Sequence, residues 1–150
     1  MSILLLVIKM LEKEILIKLY QNVEMGIIGI EDIEDKVESR SLLKLLLKQK
    51  DEYSKLKEKL VELCAKYNVQ DKEVSSIAHV SSQMMVSMKT MMDKSDSHIA
   101  TMMMEGTNKG LIQLEKLLNN YQGKDEDLIK FIENLLVFEQ QNNEELKVYL

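Results

Sequence analysis

Proline is absent from all 150 residues, and glycine occurs only five times. A β protein of this length needs more turn residues than that, whereas helices are interrupted by both types, so the scarcity points to helices. Cys64 is the one cysteine, which excludes an intramolecular disulfide and fits a reducing compartment. Aromatic residues make up 5% of the chain and tryptophan is missing, while Leu, Ile, Met, Lys and Glu dominate, all fair to good helix formers. No apolar run approaches the roughly 20 residues that cross a bilayer. The run Ile3 to Ile8 is too short for a signal peptide, follows no positive charge and precedes no small-residue cleavage site. It reads as extra turns leading into the first helix, with Met10 as an alternative start. The net charge of −5, with Lys interspersed among Glu and Asp, argues against nucleic acid as a partner. The expectation is one cytoplasmic domain over residues 1–150, with no transmembrane segment and a core of useful size.

What is present is helical periodicity. Helix A is expected from about Met10, or from Ile3, to about Val37, with Leu16, Tyr20, Val23, Ile27, Ile30 and Ile33 on one face. Gly26 and Gly29 lie inside it, where each costs about 1 kcal/mol against Ala, which predicts a close-lying neighbour helix. Helix B starts near Ser41 and carries Leu42, Leu46, Gln49, Tyr53, Leu56, Leu60, Leu63 and Tyr67. The rhythm then breaks: about 68–93 reads as a loop followed by a short amphipathic segment rich in Ser and Met. Helix C starts near Ser95 or Ser97, either a suitable N-cap, and carries Ile99, Met103, Gly106, Gly110, Leu114, Leu117 and Tyr121. Gly123 is the expected stop after it. Helix D runs from about Asp125 to Leu150, striped by Leu128, Ile132, Leu135, Glu139, Asn142, Leu146 and Tyr149.

Short links make A–B and C–D antiparallel hairpins, and the long B–C link can return along the bundle. The fold class is thus all-α: a four-helix bundle of two hairpins joined by a long crossover containing a short helix. A faint internal repeat supports two related halves. Met25-Gly26 and Glu31 align with Lys109-Gly110 and Glu115, and Leu56-Lys57 and Leu60 align with Leu146-Lys147 and Leu150.

The informative positions are those where the stripe calls for Leu and the chain supplies a polar residue: Gln49, Glu139 and Asn142. Glu52 lies one turn from Gln49, and Glu105 borders Gly106. An unpartnered buried carboxylate costs several kcal/mol, so such residues are paired, coordinating or not truly buried. In its hairpin order the chain resembles the ferritin-like superfamily. Its di-metal members place one Glu on each of two helices and Glu-x-x-His on each of the other two. The resemblance maps the Glu-x-x-His positions onto Gln49-x-x-Glu52 and Glu139-x-x-Asn142, and the lone Glu positions onto Gln21 and Glu105. Glu105 and Glu139 are thereby retained and both histidines lost. The resemblance implies a degenerate di-metal site of Glu52, Glu105 and Glu139, with Gln21, Gln49 and Asn142, able to hold iron or manganese only weakly. The stretch from Met88 to Thr107 is similar to that of small ferritin-like proteins of Gram-positive anaerobes, a likeness that spans nearly the whole chain and brings no activity with it.

Eight of the eleven methionines lie between residues 84 and 104. Met84, Met85, Met88, Met91 and Met92 fall at helical spacing. Such a stripe suits Cu(I) by its thioethers, or an adaptable apolar face, and the lack of interleaved Cys or His favours the second. His98, Met102 and Glu105 share one helix face, but His98 and Glu105 stand two turns apart, about 10 Å, too far to chelate one ion unaided. His79 has no evident partner, and Cys64 reads as a small core residue. No nucleophile–base pair, phosphate loop or zinc spacing is present. The reading is a non-catalytic structural or interaction protein, a homodimer through its N-terminal turns, the crossover or both, and with no certain cofactor. The alternatives are a weak metal-binding or metal-dependent redox protein using iron or manganese, and a spore-coat-type protein.

Overall fold

A computed structural model of the chain describes residues 2–70 and 91–150, without the side chains of residues 8–10. The crossover over 71–90, with His79, Met84, Met85 and Met88, lies outside the described residues. Among those described there are four long helices and no strand. They are α1 (Ile3–Ile33), α2 (Arg40–Lys66), α3 (Asp96–Asn120) and α4 (Glu126–Leu146), with single 3-10 turns at Glu34–Lys36 and Lys147–Tyr149.

Each helix begins on a side chain that accepts from otherwise unpaired amides of its first turn. Ser2 accepts from Leu5 N–H, Ser39 from Leu42, Ser95 from His98, and Asp125 from both Asp127 and Leu128. Of the two capping candidates for helix C, Ser95 is the cap, and His98 sits in the capping turn. The third helix stops at Asn120, three residues before Gly123. α1 tightens into a 3-10 turn after Ile33, short of the expected Val37, and the last helix does the same after Leu146. Helix ends commonly tighten in this way, which periodicity cannot register.

The apolar stripes meet in one core that includes Leu16, Leu19, Ile30, Leu42, Leu46, Leu60, Ile99, Leu114, Ile132 and Leu135, all fully buried. α1 adjoins α2 and α3, and α4 adjoins α2 and α3, so the ring order is α1–α2–α4–α3. Cross-helix pairs give the directions. Glu34 pairs with Lys50, Glu24 with Lys57, and Glu12 with Tyr67, so α1 and α2 are antiparallel. Glu12 bonds to Tyr121 and Asn22 to Gly110, so α1 and α3 are antiparallel too. Lys66 with Asp125, Tyr53 with Glu139 and Lys48 with Glu145 give the same result for α2 and α4. α2 therefore ends at one end of the bundle, with Lys66, and α3 begins at the opposite end, with Asp96.

One end is closed by a polar clasp. Glu12, 6% exposed, accepts from Tyr67 Oη at 2.9 Å and from Tyr121 Oη. Tyr67 Oη also lies against Asp125, whose Oδ2 takes Lys66 Nζ at 2.9 Å. Burial would raise the Asp125 carboxyl pKa, but Lys66, Tyr67 and the Leu128 amide outweigh it and hold the group below its usual range. α1 does not stop at this clasp. Its turns from Ile3 to Leu11 overhang the end of the bundle, and Ile3, Leu4, Leu5, Leu6, Val7 and Leu11 are all exposed, Ile3 by 82%.

Candidate functional site

Halfway along the bundle the core turns polar. Gln49 and Tyr53 project from α2, Asn22 from α1, and Glu139, Asn142 and Asn143 from α4, and all six are buried. The helical repeat aligns them: 49 and 53 are one turn apart, as are 139 and 143, so each pair points into the same layer. Tyr53 Oη donates to Glu139 Oε1 at 3.3 Å. Gln49 Nε2 reaches the Asn142 carbonyl at 3.5 Å, Asn22 Nδ2 donates to the Gly110 carbonyl at 3.3 Å, and Asn143 Nδ2 donates to Asn108 Oδ1 at 2.8 Å. The Tyr53 ring is locked by an edge-on contact with Phe138, with centroids 4.8 Å apart.

Two glycines create the room. A Cβ at Gly26 would stand 2.5 Å from the Tyr53 ring, so this position admits no side chain while Tyr53 lies across it. The close neighbour that the α1 glycines foretell is therefore, at Gly26, a ring rather than a helix backbone. A Cβ at Gly110 would stand 2.9 Å from Asn22 Nδ2 and 3.0 Å from Glu139 Oε2. The two glycines of the sequence repeat thus do matching work, each receiving side chains from neighbouring helices.

The layer is not fully satisfied. Glu139 Oε2, Asn22 Oδ1, Asn142 Nδ2 and Asn143 Oδ1 are buried with no hydrogen-bond partner among the described residues. Each such atom carries a desolvation cost of about 1–3 kcal/mol unless something else meets it. Burial pushes the Glu139 carboxyl up to about 8, with the Tyr53 hydrogen bond pulling the other way, so the group is mostly protonated at neutral pH. Burial and the neighbouring Glu139 raise the Tyr53 phenol as well. Burial likewise raises the Cys64 thiol, which favours the unreactive protonated form.

On one side the layer opens into a cleft of about 750 Å³ between α1 and α3. Asn22, Gln49, Tyr53 and Glu139 form its polar floor, Met25, Met102 and Met103 contribute thioether walls, and Gln21, Glu105, Lys109 and Lys116 stand around it.

Of the site residues expected from the sequence, Glu139, Gln49 and Asn142 lie in the buried layer. Gln21 and Glu105 line the cleft, Glu105 exposed to solvent. Glu52 is on the outer side of α2, paired with Lys55 at 3.1 Å. Among the described residues, no three His, Cys, Asp or Glu side chains stand together as a metal would need. The layer offers one carboxyl group, held protonated, with amides and a phenol. That donor set does not fit a di-metal centre, which needs several carboxylates and imidazoles. Asn22 and Asn143 carry no mark in the sequence pattern, because what buries them comes from other helices, whereas the internal repeat marks Gly110 but not the side chains that meet over it.

Residues 12–120 match a family model described as Domain of unknown function (DUF2383). The match spans more than two thirds of the chain. It starts at Glu12, where α1 enters the bundle, and ends with α3. No curated protein and no solved structure is significantly similar to the chain.

Proposed function

The chain therefore belongs to the DUF2383 family, and on that footing we propose a non-catalytic, cytoplasmic bundle of ferritin-like topology that acts as a structural or interaction protein and associates as a homodimer. Support for the topology comes from the ring order, in which each helix has two antiparallel neighbours and the chain between α2 and α3 returns to the far end. No helix among the described residues is long and apolar enough to cross a membrane.

The observation that carries the interaction reading is the overhang of α1. Ile3 to Val7 are apolar on every side and exposed, and a helix of that kind needs cover all round. A second copy brings an identical apolar turn, and two-fold pairing is the commonest way to bury such a surface. Sedimentation of the full chain and of a form starting at Met10 tests this. The expected result is a dimer for the full chain and a monomer for the shortened one; two monomers at high micromolar concentration refute it.

The competing reading is weak iron or manganese binding at a degenerate centre of Glu105 and Glu139 with Gln21, Gln49 and Asn142, the third expected carboxylate, Glu52, standing on the outer side of α2. Elemental analysis of protein from metal-supplemented cells separates the two. About two irons or manganese ions per chain, as in the di-metal members of the fold, would replace the structural reading.

A further inference from the structure

We propose that the α1–α3 cleft is a binding site for an organic amine, with its ammonium group on Glu139 Oε2 and Asn22 Oδ1 and its apolar body among Met25, Met102 and Met103. Three observations converge on this. The cleft, at about 750 Å³, falls within the size range of sites that enclose small organic ligands. Beneath it lie two oxygens, Glu139 Oε2 and Asn22 Oδ1, that nothing in the described chain satisfies, on side chains only 2% and 7% exposed. Both side chains converge over Gly110, where a Cβ would stand 2.9 Å from Asn22 Nδ2 and 3.0 Å from Glu139 Oε2.

The chemistry selects the ligand class. Asn22 spends its NH₂ on the Gly110 carbonyl, so its Oδ1 can only accept. Glu139 Oε1 takes the Tyr53 hydroxyl, which leaves Oε2. Once Glu139 is ionised both free oxygens can only accept, so the guest brings several donors on one small head, and the carboxylate favours a cationic one. Around the cleft the charged and titratable groups are Glu139 on α4, Tyr53 on α2, and Glu105, Lys109 and Lys116 on α3, while α1 supplies only the amides of Gln21 and Asn22. Among the described residues the lining cations are Lys109 and Lys116, both exposed. The three methionines are polarisable and flexible, and they contact aromatic rings well, so an aromatic or alkyl body suits the walls.

Seating an ammonium on Glu139 requires the carboxylate, so the free protein releases a proton on binding and affinity rises from pH 6 toward pH 8.5. Calorimetric titration of the full chain with 2-phenylethylamine tests the site, with 2-phenylethanol as the neutral control of the same shape. The amine is expected to saturate and to bind at least about tenfold more tightly than the alcohol, and Glu139→Gln is expected to abolish that preference. Failure of the amine to saturate at millimolar concentration overturns the proposal, as does unchanged amine affinity in a folded Glu139→Gln. If that variant does not fold, the methyl resonances of Met25, Met102 and Met103 in the unaltered protein decide. They should shift and saturate with the amine; no shift, or equal saturating shifts with the alcohol, refutes the site.

Discussion

At Glu139 a single proton links folding to pH. Its carboxyl titrates near 8 in the fold against about 4.5 when exposed, so the folded state holds a proton that the unfolded chain has lost. The contribution is full below about pH 4.5 and disappears as pH rises through 8. With each unit worth about 1.4 kcal/mol, Glu139→Gln should stabilise the protein by up to about 3 kcal/mol at pH 7. Urea unfolding at pH 5 and pH 8 checks the sign: stability falls between them in the parent and stays level in the variant. Gly26 offers a second measurement. Ala there gains about 1 kcal/mol of helix propensity but drives a methyl group into the Tyr53 ring, so a net loss of about 1–3 kcal/mol is expected. In a Tyr53→Ala background the same change should become stabilising, and a double-mutant cycle by chemical denaturation reads the reversal.

The elements were largely legible from residue order, and the reason is physical. A stripe such as Leu128, Ile132, Leu135 and Leu146 is set by the helix repeat, so its face is fixed before any partner is known. Gln49, Glu139 and Asn142 stood out because they interrupt such stripes. Asn22 and Glu12 did not. Asn22 flanks the stripe residue Val23, and Glu12 is buried only because Tyr67 and Tyr121 arrive from other helices. Glu52 shows the converse. Three residues on from Gln49 it has rotated to the edge of the helix, and Lys55 keeps it in solvent. The same dependence on distant partners makes the clasp a sensitive element. Asp125 caps α4 and meets Lys66 and Tyr67, so Asp125→Ala should cost about 2 kcal/mol, more than the roughly 1 kcal/mol of an ordinary cap. Because its carboxyl pKa is depressed in the fold, that difference is present above about pH 4 and fades as pH falls through the folded value. Thermal melts of the pair at pH 7 and pH 3 measure it.

For the whole molecule, self-association makes stability depend on concentration. If the overhanging turns pair two copies, dilution releases monomers and the Tm falls with it. Calorimetric scans of the full chain at 5-fold and 50-fold dilution, roughly spanning a micromolar dissociation constant, should show a Tm that drops by a few degrees. The form starting at Met10 should melt at one temperature throughout. A concentration-independent Tm for the full chain would point instead to a partner other than a second copy.

The ring of antiparallel neighbours has an electrostatic corollary. Every helix carries a macrodipole of about half a unit charge at each end, positive at the amino end and negative at the carboxyl end. In this order each end of the bundle is a chequerboard of two positive and two negative poles, and the backbone fields nearly cancel at a distance. Near the surface they do not cancel, and one ion pair can serve two poles at once. Lys66 lies in the last turn of α2 and Asp125 at the N-cap of α4, side by side. The cation sits on a negative pole, the anion on a positive one, and they meet each other in between.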